Sequence, residues 1–313
     1  MPAPIFVVGK HRSGTTWLAN QLCEHPLIAG VRHEHHDGIH ESAYFSRIYR
    51  RYGDLTYKPN FTEFVEATFM SDIFQLLGAD KDELYALWPT TYEGVFRALM
   101  DRYAARQNAR YWLDKTPEHT LLIEEIAELY PDAKFIAIIR DVEDVMASTV
   151  GRYGSSKLRH KKRLIVATTV SWLHSNKTIQ DFAGKSDRIF VTRYETLRRN
   201  PEATYREMCS FLGVAFDPGM LKQSYQANTT FRAGLERSSV LSSFEKRLIR
   251  FTARSGGLLP KRVLDVSKRA YTSLSPGQKP LPTWFYSMYF RFNSLDEPAA
   301  VTPPSSLEVK PRP

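Results

Sequence analysis

An α/β fold, with a parallel sheet flanked by helices, is what this sequence predicts, and three observations predict it. Short apolar runs rich in strand formers alternate with longer segments of helical spacing. The first run, Ile5-Phe6-Val7-Val8, enters a turn bracketed by Gly9 and Gly14 and then a helix, the arrangement of a phosphate-binding loop. Charged and polar residues collect just past the runs, at the strand ends where such sheets bind ligands. The full prediction is a P-loop-type parallel sheet flanked by helices, with helical insertions and a basic C-terminal extension.

The elements follow in order. After Gly14, apolar residues at 18, 19 and 22 mark a helix that His25-Pro26 ends. A polar, His-rich stretch, VRHEHHDGIHESAYF, comes next. Residues 60–108 read as helical, most clearly in FTEFVEATFMSDIFQLL and YEGVFRALMDRYAARQN. Tyr111-Trp112-Leu113 is the second strand, ending at Asp114-Lys115-Thr116-Pro117, and a helix over roughly 119–130 follows. Lys134 to Ile139 is the strongest strand; Arg140-Asp141 ends it and a helix begins near Val142. Another helix covers roughly 163–183, Arg188 to Thr192 is the fourth strand, and Tyr194-Glu195 follows it. Pro201 to Phe211 is a helix stopped by Gly213. Arg12, Lys115, Arg140 and Tyr194 each follow a strand, so a parallel sheet brings them to one edge.

The loop itself is GKHRSGTTW. Gly9 and Gly14 have the spacing of the triphosphate motif, but Thr15 stands where that motif has lysine. The cation is instead Arg12, with Lys10 and His11 beside it. Backbone N–H groups of Lys10, His11, Arg12, Ser13, Gly14, Thr15 and Thr16, together with the helix N-terminus, suit an anion. The dinucleotide fingerprint G-x-G-x-x-G is absent.

The length of 313 residues suits one large domain, here 1–295, with a helical insertion at about 35–108 and an acceptor-side region at about 219–295. Residues 296–313 are rich in Pro and Ser, too polar to pack, and are expected to be disordered. The net charge is +9, of which +8 lies from Phe231 onward. No zinc-finger or basic-zipper pattern points to nucleic acid. The basic, aromatic stretch near Thr283-Trp284-Phe285-Tyr286 suits peripheral contact with a membrane surface. No apolar run is long enough to span a membrane and no leader pattern is seen, so the expected location is the cytoplasm, with membrane-peripheral contact. Cys23 and Cys209 lie in apolar helical patterns and are expected to be buried thiols.

Taken together, four segments resemble the sulfotransferases that use 3′-phosphoadenosine 5′-phosphosulfate (PAPS). HRSGTTWL is similar to their 5′-phosphosulfate loop, and KFIAIIRDVEDVMAST to their 3′-phosphate segment, an apolar strand, Arg140, then Ser148. DKTP is similar to a lysine-bearing segment of the Golgi-type and bacterial branches. RYETLRRNPEATYREMCSFLGVAF is similar to the run that closes the family core. The resemblance covers about residues 4–218, with 35–108 unmatched. It implies that PAPS is the donor, that 3′,5′-ADP is the product, and that no metal is required. It also implies that Arg140 and Ser148 hold the 3′-phosphate, with Arg152, Arg237 and Ser238 as weaker candidates, and that Tyr194 contacts the adenine.

For transfer, Arg12 and Lys115 are the cations expected to stabilise the reacting group. The histidine of the hormone-type branch is missing, because that segment here reads Lys115-Thr116-Pro117. Other branches place a glutamate about 21–22 residues past the loop cation, and Glu34 stands 22 residues after Arg12. Glu34 is therefore the expected base, with His33 and His119 as substitutes. The glutamate-base branches imply a hydroxyl acceptor on a saccharide or glycolipid. The histidines at 33, 35, 36 and 40 invite a metal, but H-E-x-x-H would need histidine at 37, which is Asp37. Two rivals stand beside this reading. One is a nucleoside-triphosphate kinase with Asp114 on magnesium; the other is a non-catalytic anion- or membrane-binding module.

Overall fold

A computed structural model describes residues 1–32, 38–153, 158–222 and 240–256. Five parallel strands form one sheet in the order β2-β3-β1-β4-β5. They are β1 (Ala3–Val8), β2 (Ile28–Gly30), β3 (Tyr111–Lys115), β4 (Lys134–Ile139) and β5 (Ile189–Arg193). β1 is central, with β3 on one side and β4 on the other. The chain reverses its direction of travel across the sheet at β1, so the crevice past Val8 is the ligand position this topology favours.

Four strands were expected and five are present. β2 was missed because three residues are too few to show a period, and only pairing with β3 makes them a strand. Tyr111-Trp112-Leu113 is consequently the third strand, and it runs on through Lys115.

Side-chain alternation divides the core in two. Ile5, Val7, Tyr111, Leu113, Ile136 and Ile138 face one layer, with α1 (Thr15–Leu22) and the later helix Pro201–Leu212. Phe6, Val8, Trp112, Phe135 and Ala137 face the other. That second layer is built largely by the helices of the expected insertion: α2 (Lys58–Thr68), α3 (Asp72–Leu76), α4 (Lys81–Ala86) and α5 (Tyr92–Arg106). Phe61, Phe64, Phe74 and Phe96 from these helices are almost wholly buried. The segment is thus part of the core as well as a flank of the cleft. Its first helical run is broken between Thr68 and Asp72, making two helices where the period suggested one.

The remaining helices support the carboxyl edge of the sheet. The expected helix at 119–130 is a 3-10 turn, Pro117–Leu122, followed by α6 (Ile123–Leu129). α7 (Val142–Tyr153) follows β4 as expected, and α8 (Leu158–Ala183) begins earlier than its periodicity suggested. α9 (Tyr194–Arg199) directly follows β5. α10 (Pro201–Leu212) ends at Gly213, whose φ of 74° gives the left-handed cap read from the sequence. α11 (Ser243–Gly256) packs on α7 and α8 through Ile249. Cys209 is buried, whereas Cys23 is only half-buried; both are free thiols.

Candidate functional site

The loop after β1 is shaped to present its backbone. Ser13 N–H closes a turn on the Lys10 carbonyl at 2.9 Å, and Arg12 takes a positive φ of 71°. Gly9 and Gly14 are required: a Cβ on Gly9 would meet the Ile138 carbonyl oxygen at 2.6 Å, and one on Gly14 would meet the Tyr194 ring at 2.7 Å. Gly14 caps α1 without a side-chain oxygen, and the first turn of α1 has no acidic residue. The helix N-terminus therefore keeps its N–H groups and positive dipole end for an anion. Ser13 Oγ is buried with no hydrogen-bond partner among the described residues, an orphaned polar atom inside the loop. Loop, glycines and orphan hydroxyl all fit a phosphorylated group.

The cations separate into two kinds. Arg12 Nε donates to Ser148 Oγ at 3.0 Å, joining the loop to α7. Arg140 Nη1 donates to the Arg12 carbonyl at 3.1 Å, and its guanidinium lies 4.0 Å from the centre of the Tyr194 ring. Trp172 Nε1 of α8 holds the Arg140 carbonyl at 2.9 Å. Arg12, Arg140, Ser148 and Tyr194 thus meet in one place. Tyr194 is 5% exposed, and Trp17 packs edge-on against it with ring centres 5.4 Å apart. Lys10 and His11, by contrast, engage other side chains. Lys10 Nζ bonds Ser171 of α8 at 2.9 Å, and burial lowers its pKa against the opposing pull of Glu118. His11 Nε2 lies 3.3 Å from Glu118. Their side chains anchor the loop; only their backbone N–H groups remain for a ligand.

Asp114 to Thr120 is the other half of the site. Thr120 Oγ1 accepts from Gly9 N–H at 2.8 Å. Glu118 meets His11 and, at 3.9 Å, Arg47. Burial works to raise the Glu118 pKa, but the hydrogen bond and charge of His11, a backbone N–H and Arg47 outweigh it and hold the group at about 2. A carboxyl depressed from about 4.5 to about 2 adds stability that is present above its unfolded value and lost as pH falls through the folded one. Glu118→Gln is therefore expected to lower unfolding free energy at pH 7 by on the order of 2–3 kcal/mol. The difference from wild type should shrink as pH falls from about 4.5 towards 2. Urea denaturation at a series of pH values measures it.

Lys115 is 2% exposed and its Nζ lies 2.6 Å from Glu41 Oε1. Both ring nitrogens of His119 are engaged in this arrangement. The residue is 1% exposed, its Nε2 accepts from Phe45 N–H at 3.2 Å, and its Nδ1 therefore donates to Asp114 at 2.8 Å. The hydrogen bonds assign the tautomer and leave neither ring nitrogen for a substrate. Burial acts to raise the Asp114 pKa; His119, Ser42 and Lys115 outweigh it and hold the carboxyl below its ordinary range. That engagement also removes the carboxylate that the kinase reading would give to magnesium.

The described residues include no cluster of three or more His, Cys, Asp or Glu placed to hold a metal. Glu34, His33, Arg237 and Ser238 lie outside the described residues, as do residues 257–313 with the aromatic stretch and tail; Arg152 lies in α7, but its side chain is not described. Sequence reasoning missed Trp17, Glu41, Ser171 and Trp172. Trp17 was discoverable as an aromatic directly after the loop; the other three carry no local signal.

The fold and these contacts define a P-loop-like anion-binding protein whose loop cation is arginine. A profile of the sulfotransferase family matches residues 4–218, more than half of the chain. The chain belongs to that family. No curated protein matches it. Among solved structures it is similar to the sulfotransferase domain from the curacin biosynthetic pathway, at 21% identity over 93% of this chain and 98% of that one, with a TM-score of 0.47. It is also similar to the sulfotransferase domain of the Synechococcus PCC 7002 olefin synthase, at 19% identity over 95% and 96%, with a TM-score of 0.48. Mouse sulfotransferase SULT7A1 complexed with PAP matches at 12% identity over 86% and 89%, with a TM-score of 0.49.

Proposed function

We propose that this enzyme transfers the sulfuryl group of PAPS to a hydroxyl of a saccharide or glycolipid, releasing 3′,5′-ADP. The observation that carries the donor assignment is the Arg12–Ser148 contact at 3.0 Å, with Arg140 bonded to the Arg12 carbonyl. It joins the loop suited to the 5′ end to the residues suited to the 3′-phosphate. In this reading residues 10–16 bind the 5′-phosphosulfate through backbone N–H groups, while Arg140 and Ser148 take the 3′-phosphate. Tyr194 and Trp17 offer aromatic surface to the adenine. Arg12 and Lys115 meet the charge that develops on the leaving phosphate. The acceptor proton passes to a carboxylate on the segment after β2, a stretch that holds both Glu34, at the expected spacing from Arg12, and Glu41.

The saccharide or glycolipid assignment rests on the resemblance to the glutamate-base branches. Two free thiols suit a reducing compartment, and we place the enzyme in the cytoplasm. No helix among the described residues is long and apolar enough to cross a membrane. Peripheral membrane contact is supported by α11, where Phe244, Arg247, Phe251 and Arg254 are all exposed, at spacings that share a face. Wild type is expected to sediment with vesicles containing phosphatidylserine, and Arg247→Glu/Phe251→Glu to sediment markedly less. Equal sedimentation of the two would remove α11 from that role.

The donor reading is tested by calorimetry. 3′,5′-ADP should bind without magnesium, and ATP should gain nothing from added magnesium; tight magnesium-dependent ATP binding would support the kinase instead. Incubation of the protein with PAPS labelled in the sulfate and with host extracts then identifies the acceptor. Label retained in a polypeptide, with none in sugar or lipid fractions, would overturn the saccharide assignment.

A further inference from the structure

We infer that Glu41 is the proton acceptor of the transfer, an inference that rests on the sulfuryl-transfer reading above. Lys115 ends β3 in register with Val7, two residues before the phosphate loop. Strand alternation gives it the face of Tyr111 and Leu113, which α1 covers, so its ammonium emerges beside the N-terminus of α1. Glu41 Oε1 meets that ammonium at 2.6 Å. The Lys115 side chain is 3% exposed and that of Glu41 is 35% exposed, so the pair has a buried cation and a carboxylate reaching solvent.

The chain around Glu41 is fixed on both sides. Ile39 N–H donates to Asn20 Oδ1 of α1 at 2.8 Å, and a Cβ on Gly38 would meet Thr16 Cγ2 at 2.7 Å. Beyond Glu41, Ala43 N–H donates to Thr116 Oγ1 at 3.2 Å and Phe45 N–H to His119. Ala43 bends the chain with a φ of 49°, a left-handed conformation for a residue with a side chain. Such strain persists where surrounding contacts over-determine it, commonly at working sites. The segment therefore lies between the first turns of α1 and the end of β3, and Glu41 is held at the point where loop, helix N-terminus and Lys115 meet.

Among the described residues, the other carboxylates at this edge are committed elsewhere. Asp114 is closed off by His119, Glu118 by His11 and Arg47, and Asp144 sits on Arg140. Glu41 Oε2 accepts no hydrogen bond among the described residues, so one oxygen holds Lys115 and the other can receive a proton. In the step, Glu41 takes the proton of the acceptor hydroxyl as its oxygen bonds to sulfur. The bond from sulfur to the 5′-phosphate oxygen breaks, its electron pair stays on that oxygen, and Arg12 and Lys115 meet the charge. Glu41 returns the proton to water when the products leave.

The test uses the full chain, with calorimetric binding of 3′,5′-ADP and turnover of PAPS with water or n-octyl glucoside as hydroxyl source. Glu41→Gln should bind 3′,5′-ADP within about threefold of wild type or more tightly, because it removes a negative charge beside the donor site. Its turnover should fall by about 10²–10⁴-fold, and the acid-side fall in the wild-type rate profile should disappear. Retained nucleotide binding also shows that the variant is folded. Lys115→Ala should lose both binding and turnover. The inference fails if Glu41→Gln turns over within about tenfold of wild type, or keeps the acid-side fall, while Glu34→Gln is the variant that collapses. It fails equally if Glu41→Gln loses nucleotide binding. A wild-type chain that neither binds 3′,5′-ADP nor releases it from PAPS would instead remove the sulfotransferase reading itself.

Discussion

Arg140→Ala is expected to weaken binding of 3′,5′-ADP by about 1.5–3 kcal/mol, roughly 10- to 150-fold, while 5′-AMP binding changes little. Arg140 is 3% exposed and its guanidinium is held in place from several directions: Tyr194 under its face, the Arg12 carbonyl at 3.1 Å, and Asp144 at 3.4 Å. A fork pre-set in this way binds a phosphate without further ordering cost. The comparison of nucleotides separates two roles. 5′-AMP lacks the 3′-phosphate, so loss confined to 3′,5′-ADP means that Arg140 reads that group. Equal loss for both means that Arg140 acts through the Arg12 carbonyl, by shaping the loop. Calorimetric titration of both nucleotides measures the difference.

Gly14→Ala is expected to be still more damaging. The residue has a φ of 100°, and a Cβ there would lie 2.7 Å from the Tyr194 ring. The ring is buried between Trp17 and Arg140 and has little room to yield. Backbone strain of about 1–3 kcal/mol adds to an overpacking cost of similar size, so a total of about 2–6 kcal/mol is expected. Any relief requires Tyr194 to move, which carries Arg140 with it. Melting temperature and 3′,5′-ADP affinity should therefore fall together. A variant that melts normally and binds normally would show that the loop does not hold this conformation in solution.

The loop was legible because its chemistry is local. Gly9 and Gly14, the apolar run before them and the helix after them lie within one short stretch, and Thr15 in the lysine position is visible without a structure. β4 with Arg140, and α10 with its Gly213 cap, were legible for the same reason. β2 was not, since Ile28–Gly30 becomes a strand only by pairing with β3. The helices between Lys58 and Arg106 were visible as helices, but nothing in their pattern showed that they cover the Phe6 and Trp112 face of the sheet. The acidic residue beside Lys115 was equally hidden. Spacing from Arg12 favoured Glu34, and no periodicity brings Glu41 to a lysine 74 positions away.

By itself the sequence determined what each segment would be: which residues extend, which coil, where glycine frees the backbone, and which cation replaces the missing lysine. Those properties depend on neighbours within a few positions, through propensity, capping and steric restriction of φ and ψ. Only the tertiary structure decided which side chains meet. It set Lys10 on Ser171 and His11 against Glu118, drew Arg12 onto Ser148, and sealed His119 against Asp114. The physical reason is that strand order and side-chain alternation choose the partners across a sheet. Placing β1 between β3 and β4 is what sets the ends of three distant segments beside one loop.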